Sequence, residues 1–168
     1  MTAVTRPENL AEIGLSLRNA VARAHIDAEW HLRFDPERRH VGGQQVKNEL
    51  LDGIDDGWVW VLDDDTLVHP ELFTYLDESY DALVVSMRLD GGILHAAEKN
   101  VVWGGIDIGQ AILRRELIGE RRIEPVYEGD GSFLEALLPG ANVLYVPTEL
   151  TYYNAITQGG RDVYGIRG

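Results

Sequence analysis

The most informative absence in this 168-residue sequence is cysteine, which does not occur at all. Its absence excludes disulfides and every metal site with cysteine ligands. The sequence also lacks an apolar stretch of about 18 residues, so we expect no membrane-spanning helix. The N-terminal segment shows no basic region followed by an apolar one, so we expect no signal peptide. These absences predict a soluble, cytoplasmic protein.

Positive charge is also scarce in this sequence. It contains 28 acidic and 15 basic residues, which gives a formal net charge of -13 at pH 7. Such a chain repels nucleic acid and anionic membranes, and no dense basic stripe is present, so we expect no nucleic-acid partner. An anionic small ligand, such as a nucleoside diphosphate, would need a metal ion between itself and an acidic site.

An apolar run, Trp58–Leu62, leads directly into three aspartates, Asp63, Asp64 and Asp65. A run without polar alternation predicts a strand buried on both faces, which is typical of a parallel sheet. Open α/β sheets bind ligands beyond the carboxyl ends of their strands. Asp63 and Asp65 would project to the same side of an extended chain, where two carboxylates suit a hard divalent cation. The alternative is a solvated turn, since aspartate is common after strands.

Alternating strand-like and helix-like segments predict one α/β domain with a mainly parallel central sheet flanked by helices. The hydrophobic content of 45% is enough for a single core. We place this domain at residues 1–158 and a loose C-terminal tail at 159–168. The predicted strands lie near residues 2–5, 30–34, 58–62, 82–87, 93–95, 143–146 and 150–153. The predicted helices lie near residues 9–24, 46–54, 70–80, 108–117 and 130–138.

Three short motifs at the ends of predicted strands resemble those of one enzyme family. Their order and spacing look like family 2 of the GT-A glycosyltransferases, and the motifs are Thr5-Arg6-Pro7, Phe34-Asp35 and Leu62-Asp63-Asp64-Asp65. Three further segments match a compact bacterial subgroup of that family: Gly104–Gly119, Tyr127–Leu137 and Leu150–Ala155. The resemblance covers nearly the whole chain and implies a GT-A-like domain, which is a Rossmann-like fold.

The resemblance implies a metal-dependent glycosyltransferase of the hexosyltransferase type. It would move a sugar, with inversion, from a nucleoside-diphosphate sugar to a hydroxyl of a small-molecule or glycan acceptor. Asp65, together with Asp63, would bind Mn²⁺ or Mg²⁺ on the diphosphate. The chain has no histidine after His95, so the metal would be held mainly by Asp65 and the phosphates. The residues implied to contact the nucleotide sugar are Thr5, Arg6, Pro7, Asp35, Asp63 and Asp64.

On the acceptor side, the resemblance implies a general base at Asp130 for the acceptor hydroxyl. An aspartate before a helix is also a good N-cap, so that alternative stays open. The small size of the domain also predicts a homodimer that completes the acceptor side. The implied acceptor loop contains Trp103, Gly104, Gly105, Asp107 and Gln110. Its tryptophan is a candidate for stacking on a sugar, and Asp107 and Gln110 are equally open to being first-turn helix residues.

Two other functions remain open from the sequence. Asp63, Asp65 and Thr66 after an apolar strand partly fit haloacid-dehalogenase-like phosphatases, with Asp63 as the nucleophile and Asp65 as the acid–base. That motif normally lies on the first strand, whereas two predicted strand–helix units precede it here. The third interpretation is a non-catalytic module that binds a nucleotide sugar and transfers nothing.

Overall fold

The computed structural model of the protein describes residues 1–35 and 43–156. Its helices are α1 (Leu10–Ala24), α2 (Gln44–Leu51), α3 (Arg115–Ile118) and α4 (Gly129–Leu137). Its strands are β1 (Thr2–Val4), β2 (Leu32–Phe34), β3 (Trp58–Trp60), β4 (Leu67–Val68), β5 (Ala82–Leu89), β6 (Gly92–Leu94), β7 (Ala111–Arg114) and β8 (Val143–Tyr152). Short 3₁₀ helices cover Pro7–Asn9, Leu72–Tyr75, Glu98–Asn100 and Ile108–Gln110. The predicted tail at 159–168 lies outside the described residues.

The strands form a small and a large sheet, and hydrogen bonds of Met1 join the two sheets. The small sheet is the parallel pair β1–β2, and the large sheet has the order β3-β7-β5-β8-β4, with β6 paired to β5. The backbone N–H of Leu62 donates to the carbonyl of Met1 at 3.0 Å. The amino group of Met1 donates to the carbonyl of Trp60 at 2.7 Å. These two bonds place β1 beside β3, so their carboxyl ends share one edge.

The predicted mainly parallel sheet is not confirmed, because the large sheet is mixed. Only β5–β8 is a parallel pair in it, while β3–β7, β5–β7, β5–β6 and β4–β8 are antiparallel. The reason is that β7 is inserted between β3 and β5 and runs opposite to both. Consequently the start of β7, rather than its end, lies at the edge where β3 ends.

Strand β3 and its extension are buried on both faces, as the apolar run predicted. Val59 and Val61 belong to a core cluster that includes residues of α2 and α4. Trp60 and Leu62 belong to a second cluster, which includes residues of α1. A strand between two packed layers needs apolar side chains at every position. In the described ranges, no helix is both long and apolar enough to cross a membrane.

Three local predictions are wrong, two of them where apolar runs are ambiguous. Residues 70–80 contain the short 3₁₀ helix Leu72–Tyr75 rather than the predicted helix. Residues 108–117 are not one helix, because the chain forms a 3₁₀ turn at Ile108–Gln110, then β7, and then α3. A short apolar run such as Ala111–Leu113 does not distinguish a buried strand from a buried helix. The two strands predicted near residues 143–146 and 150–153 are one long strand, β8 (Val143–Tyr152). A register shift between Val85 and Ser86 on β5 lets β8 continue past Pro147, which cannot donate to the ladder.

Candidate active site

The candidate site lies at the sheet edge where β1, β2 and β3 end and β7 begins. Thr5 and Arg6 follow β1, Asp35 follows β2, and the three aspartates follow β3 by two residues. Because β7 runs in the opposite direction, its preceding turn brings Asp107 to the same edge. The structure therefore brings together the predicted nucleotide, metal and acceptor residues from segments far apart in sequence.

Asp64 fastens the loop after β1 to the end of β3. Its Oδ2 accepts hydrogen bonds from the backbone N–H of Thr5 at 2.6 Å, the Thr5 hydroxyl at 2.9 Å and the backbone N–H of Arg6 at 2.7 Å. Its Oδ1 accepts from Nε of Arg6 at 2.9 Å, and its backbone carbonyl accepts from the side chain of Asn9 at 2.8 Å. The Asp64 carboxylate is buried by these contacts, so it shapes the loop. Its predicted contact with a nucleotide sugar stays a prediction.

Arg6 also holds the second carboxylate, that of Asp65. Its Nη1 lies 2.5 Å from Oδ2 of Asp65, while its Nη2 lies 2.9 Å from Oδ1 of Asp64. Oδ1 of Asp65 is buried and has no hydrogen-bond partner among the described residues. Burial raises the pKa of Asp65, and the guanidinium of Arg6 opposes that rise. Asp65 therefore keeps one carboxylate oxygen for a ligand.

Lys47 of α2 is the centre of a second charge cluster. Its Nζ lies 3.0 Å from Oδ1 of Asp63 and 3.3 Å from Oδ2 of Asp130, and its side chain is only 2% exposed. Burial alone would lower the pKa of Lys47, but the carboxylates of Asp63 and Asp130 outweigh it and raise the pKa. The lysine is therefore a buried ammonium that joins the end of β3 to the start of α4.

Asp130 lies in the first turn of α4, and one of its carboxylate oxygens lacks a hydrogen-bond partner among the described residues. The helix begins at Gly129 and its N-cap is Glu128, so the N-cap alternative for Asp130 is wrong. Burial raises the pKa of Asp130, Lys47 opposes the rise and Asp63 adds to it. Oδ1 of Asp130 is buried without a hydrogen-bond partner in the described part of the chain. A carboxylate with a raised pKa and a free oxygen is suited to accept a proton.

Asp107 and Gln110 close a capping box on the 3₁₀ turn before β7. Asp107 Oδ1 accepts from the N–H of Gly109 at 2.8 Å, and Gln110 Oε1 accepts from the N–H of Asp107 at 2.9 Å. Gln110 Nε2 donates to the carbonyls of Val85 and Leu94 at 2.9 and 3.1 Å. Burial, followed by the charge of Asp63, raises the pKa of Asp107 to about 7. Their predicted acceptor contacts remain predictions, and the Gln110 side chain already hydrogen-bonds to strands β5 and β6 and to the backbone of Asp107.

The remaining predicted residues surround these clusters. Asp35 is buried at the end of β2, and its N–H donates to the carbonyl of Val4 at 2.8 Å. Pro7 starts the 3₁₀ helix that follows Thr5 and Arg6. Gly104 has a φ of 75°, a left-handed conformation that favours glycine. Trp103 precedes it with 57% of its surface exposed, close to the first turn of α4.

Two residues of the site were missed by the sequence analysis, Lys47 and Tyr153. Burial, together with the charges of Asp63, Asp65 and Asp107, raises the pKa of Tyr153 to about 12, so its hydroxyl stays neutral beside the carboxylates. Lys47 had a detectable signal: it lies four residues before Leu51, on the apolar face of a predicted helix. Tyr153 directly follows the last strand, and its position alone does not distinguish it from a core tyrosine.

The donor set fits a metal that is shared with a substrate, rather than one enclosed by protein. Among the described residues, no group of three or more histidine, aspartate or glutamate side chains is arranged to hold a metal ion. Mg²⁺ is commonly held by one or two carboxylates together with substrate phosphates. The unpartnered Oδ1 of Asp65 supplies one such ligand, and Asp63, whose charge acts on Asp65, is a neighbouring carboxylate.

A cavity of about 920 Å³ lies beside α1 and β3 and is lined by residues of both. Its wall includes Trp30 and Trp58, together with Asp55 and Asp56 from the turn before β3. None of the predicted site residues lines it, so this cavity does not coincide with the charge clusters.

Comparison with solved structures shows which class of proteins this fold is similar to. The chain is similar in structure to S. aureus TarS residues 1–349, a glycosyltransferase, with a TM-score of 0.55 and 16% sequence identity. The aligned part covers 88% of this chain and 58% of the TarS chain. The protein has a glycosyltransferase-like fold. No protein-family model matches the sequence, and no curated protein matches it either.

At this level of identity, the likeness to TarS concerns the fold alone. The chain spans little more than half of the TarS structure, so parts of TarS have no counterpart in the alignment. The function of this protein therefore has to be inferred from its own residues at the sheet edge.

Proposed function

We propose that this protein is a metal-dependent, inverting glycosyltransferase that uses a nucleoside-diphosphate sugar and a hydroxyl acceptor. The observation that carries the proposal is the contact of one buried ammonium, Lys47 Nζ, with both Asp63 and Asp130. Through this contact, Asp63, which is predicted to bind the donor, and Asp130, the predicted base, lie beside the same ammonium. The glycosyltransferase-like fold favours this proposal over the phosphatase alternative.

In this proposal, Asp130 takes the proton from the acceptor hydroxyl. The hydroxyl oxygen forms a bond with the anomeric carbon as the bond from that carbon to the diphosphate breaks, and the nucleoside diphosphate leaves. Oδ1 of Asp130 is free to accept the proton, and burial raises its pKa toward the working range of a general base. Lys47 positions this carboxylate by contacting its other oxygen.

The leaving side is assigned to Asp65 and Asp63. Their carboxylates would hold Mn²⁺ or Mg²⁺, and the metal, when bound, would neutralise the charge that develops on the diphosphate. Nη1 of Arg6 keeps Asp65 in place by an ion pair with its Oδ2 at 2.5 Å, which leaves Oδ1 for the metal. Thr5, Pro7 and Asp35, from the neighbouring strand ends, are proposed to contact the nucleotide. Tyr153, neutral and adjacent, is a further hydrogen-bonding group for the sugar or phosphates.

The test is a thermal-shift panel of UDP-, GDP- and dTDP-sugars, each with and without Mn²⁺. A ligand at about 100 times its Kd stabilises the native state by about 2.7 kcal/mol, which raises Tm by roughly 5–10 °C for a chain of this size. We expect such a shift with one nucleotide and only with metal. Asp65→Ala should abolish the metal-dependent shift. Asp130→Asn should keep the shift and lose transfer.

The matched control is Asp56→Asn, an exposed aspartate before β3, which should preserve both properties. No shift with any nucleotide sugar, in the presence of Mn²⁺, would contradict the proposal. Full transfer by Asp130→Asn would remove that residue from the base role. An unchanged metal-dependent shift in Asp65→Ala would show that the metal assignment is wrong.

A further inference from the structure

Two four-residue turns lie near Asp130, and each is closed by a hydrogen bond from a glycine N–H. Their third residues differ in conformation, since Gly104 has a φ of 75° and Glu128 a φ of -84°. In the first, the N–H of Gly105 donates to the carbonyl of Val102 at 2.9 Å, so that Trp103 occupies the second position of a four-residue turn. In the second, the N–H of Gly129 donates to the carbonyl of Val126 at 3.0 Å, which places Tyr127 at the equivalent position. Each turn therefore reads valine, aromatic residue, any residue, glycine.

Each turn ends in a glycine that packs closely against neighbouring backbone. A Cβ on Gly105 would lie 2.6 Å from the carbonyl oxygen of Asn100, and a Cβ on Gly129 would lie 2.1 Å from that of Glu124. Backbone packs so closely against each glycine that no larger residue fits without moving the loop. The position of each turn is therefore set by the backbone that packs against its final glycine.

The two rings remain exposed although they are large and apolar. Trp103 is 57% exposed and Tyr127 is 78% exposed, and the valines before them, Val102 and Val126, are exposed too. Their turns adjoin the residues on each side of the proposed base: Gly129 precedes Asp130, and a Cβ on Gly131 would lie 3.5 Å from Cδ1 of Trp103. Exposed aromatic residues that cluster at one place mark a binding site more often than single ones do.

The charges around the turns indicate what the site would take. Glu124 and Glu128 are exposed beside Tyr127, and Asp130 and Asp107 lie at the inner edge. In the part of the chain that the structure describes, the nearby ammonium of Lys47 is buried and already paired with two carboxylates. Lys99 is an exposed cation shortly before the first turn, but the exposed Glu98 directly precedes it, so the surface stays net acidic and repels an anionic acceptor. A neutral sugar avoids that repulsion, because it offers hydroxyls to carboxylates and an apolar C–H face to aromatic rings.

We propose that the turns Val102–Gly105 and Val126–Gly129 form an acceptor subsite for a neutral glycan, with Trp103 and Tyr127 as the stacking residues. This inference rests on the proposed function, because it assumes that the bound sugar presents a hydroxyl to Asp130. It adds Tyr127 to the acceptor side and restricts the acceptor to an uncharged saccharide. Trp103 and Tyr127 bind and orient the acceptor and take no part in proton transfer.

The test is saturation-transfer NMR with three neutral trisaccharides: cellotriose, maltotriose and N,N′,N″-triacetylchitotriose. Trigalacturonate serves as the anionic probe and 1,2-hexanediol as the apolar probe. We expect at least one neutral trisaccharide to bind, and trigalacturonate and the diol not to bind. Trp103→Ala and Tyr127→Ala should each weaken binding roughly tenfold, the usual cost of removing a central aromatic contact. Trp103→Phe and Tyr127→Phe should retain most of the affinity.

The control is Leu15→Ala, which removes an exposed apolar side chain of α1 (54% exposed) and should leave trisaccharide binding unchanged. The inference is overturned if no neutral trisaccharide binds, if trigalacturonate or the diol binds as well as they do, or if both alanine variants bind like the wild type. The nucleotide-sugar thermal shift is measured on the same variants and should not change. If the wild type binds a trisaccharide but shows no thermal shift with any nucleotide sugar, the proposed function is rejected. The glycan site formed by Trp103 and Tyr127 would then stand without it.

Discussion

Replacing Lys47 with methionine tests the charge balance of the candidate site. Methionine fills nearly the same volume as the lysine stem, so the loss of packing should be small. The change removes the ammonium that contacts Asp63 at 3.0 Å and Asp130 at 3.3 Å. Asp107, whose charge also acts on Lys47, would then face two unpaired carboxylates.

The magnitude follows from how strongly the partners are buried. Removing one partner of a fully buried ion pair costs about 3–5 kcal/mol, because the other charge is left uncompensated. Here the lysine side chain is 2% exposed, but those of Asp63 and Asp130 are 27% and 20% exposed, so water screens part of the loss. We therefore expect Lys47→Met to lower the free energy of unfolding by about 2–3 kcal/mol at pH 8.

The penalty should shrink at lower pH, which separates a charge effect from a packing effect. Lys47 opposes the rise in the pKa values of Asp130 and Asp107, so without the ammonium these two pKa values rise further and the folded variant binds more protons than the unfolded chain. Stability then falls as pH rises, by up to about 1.4 kcal/mol per pH unit for each extra proton. Between pH 8 and pH 6 the difference from wild type should decrease by about 1–2 kcal/mol.

The assay is urea unfolding followed by tryptophan fluorescence at pH 6 and pH 8, with Lys99→Met as the control. Lys99 is the only other lysine in the sequence and is exposed, so its variant should differ from wild type by less than about 0.5 kcal/mol at both pH values. The reasoning fails if Lys47→Met is as stable as Lys99→Met at pH 8. It also fails if the destabilisation is the same at pH 6, since only a packing loss would be independent of pH.

Two further predictions concern the neighbouring aspartates. Burial raises the pKa of Asp107 to about 7, so the folded protein holds a proton there that the unfolded chain releases, and stability should fall as pH rises from about 4 to 7. Asp107→Asn should flatten the plot of unfolding free energy against pH in that window, and an unchanged slope would contradict the assignment. Asp64→Ala should cost about 3 kcal/mol or more in urea unfolding, because it leaves the N–H groups of Thr5 and Arg6 without their acceptor. The exposed Asp56→Ala should cost less than about 0.5 kcal/mol, and equal losses in the two variants would refute the structural role of Asp64.

The parts of the site that follow from strand position could be predicted from the sequence. The apolar run before Asp63 predicted a strand buried on both faces, and the structure divides its side chains between two cores. The strand ends then placed Thr5 and Asp35 at the same edge. The contact of Lys47 with Asp130 could not be predicted, because it joins residues 83 positions apart, one on α2 and the other on α4. Strand β7 and its direction could not be predicted either, because its short apolar run also fits a helix.

The pairing of the aspartates also bears on how an anionic donor would bind. At this edge the described cations are Arg6 and Lys47, and each is already shared between two carboxylates. A diphosphate that entered the site would meet more negative than positive charge from these residues. It would have to displace Arg6 from Asp65 or bring a divalent cation with it, and displacing Arg6 would leave buried carboxylates unpaired at considerable cost. The acidic composition and the two ion-paired clusters therefore lead to the same expectation, that donor binding requires a metal ion.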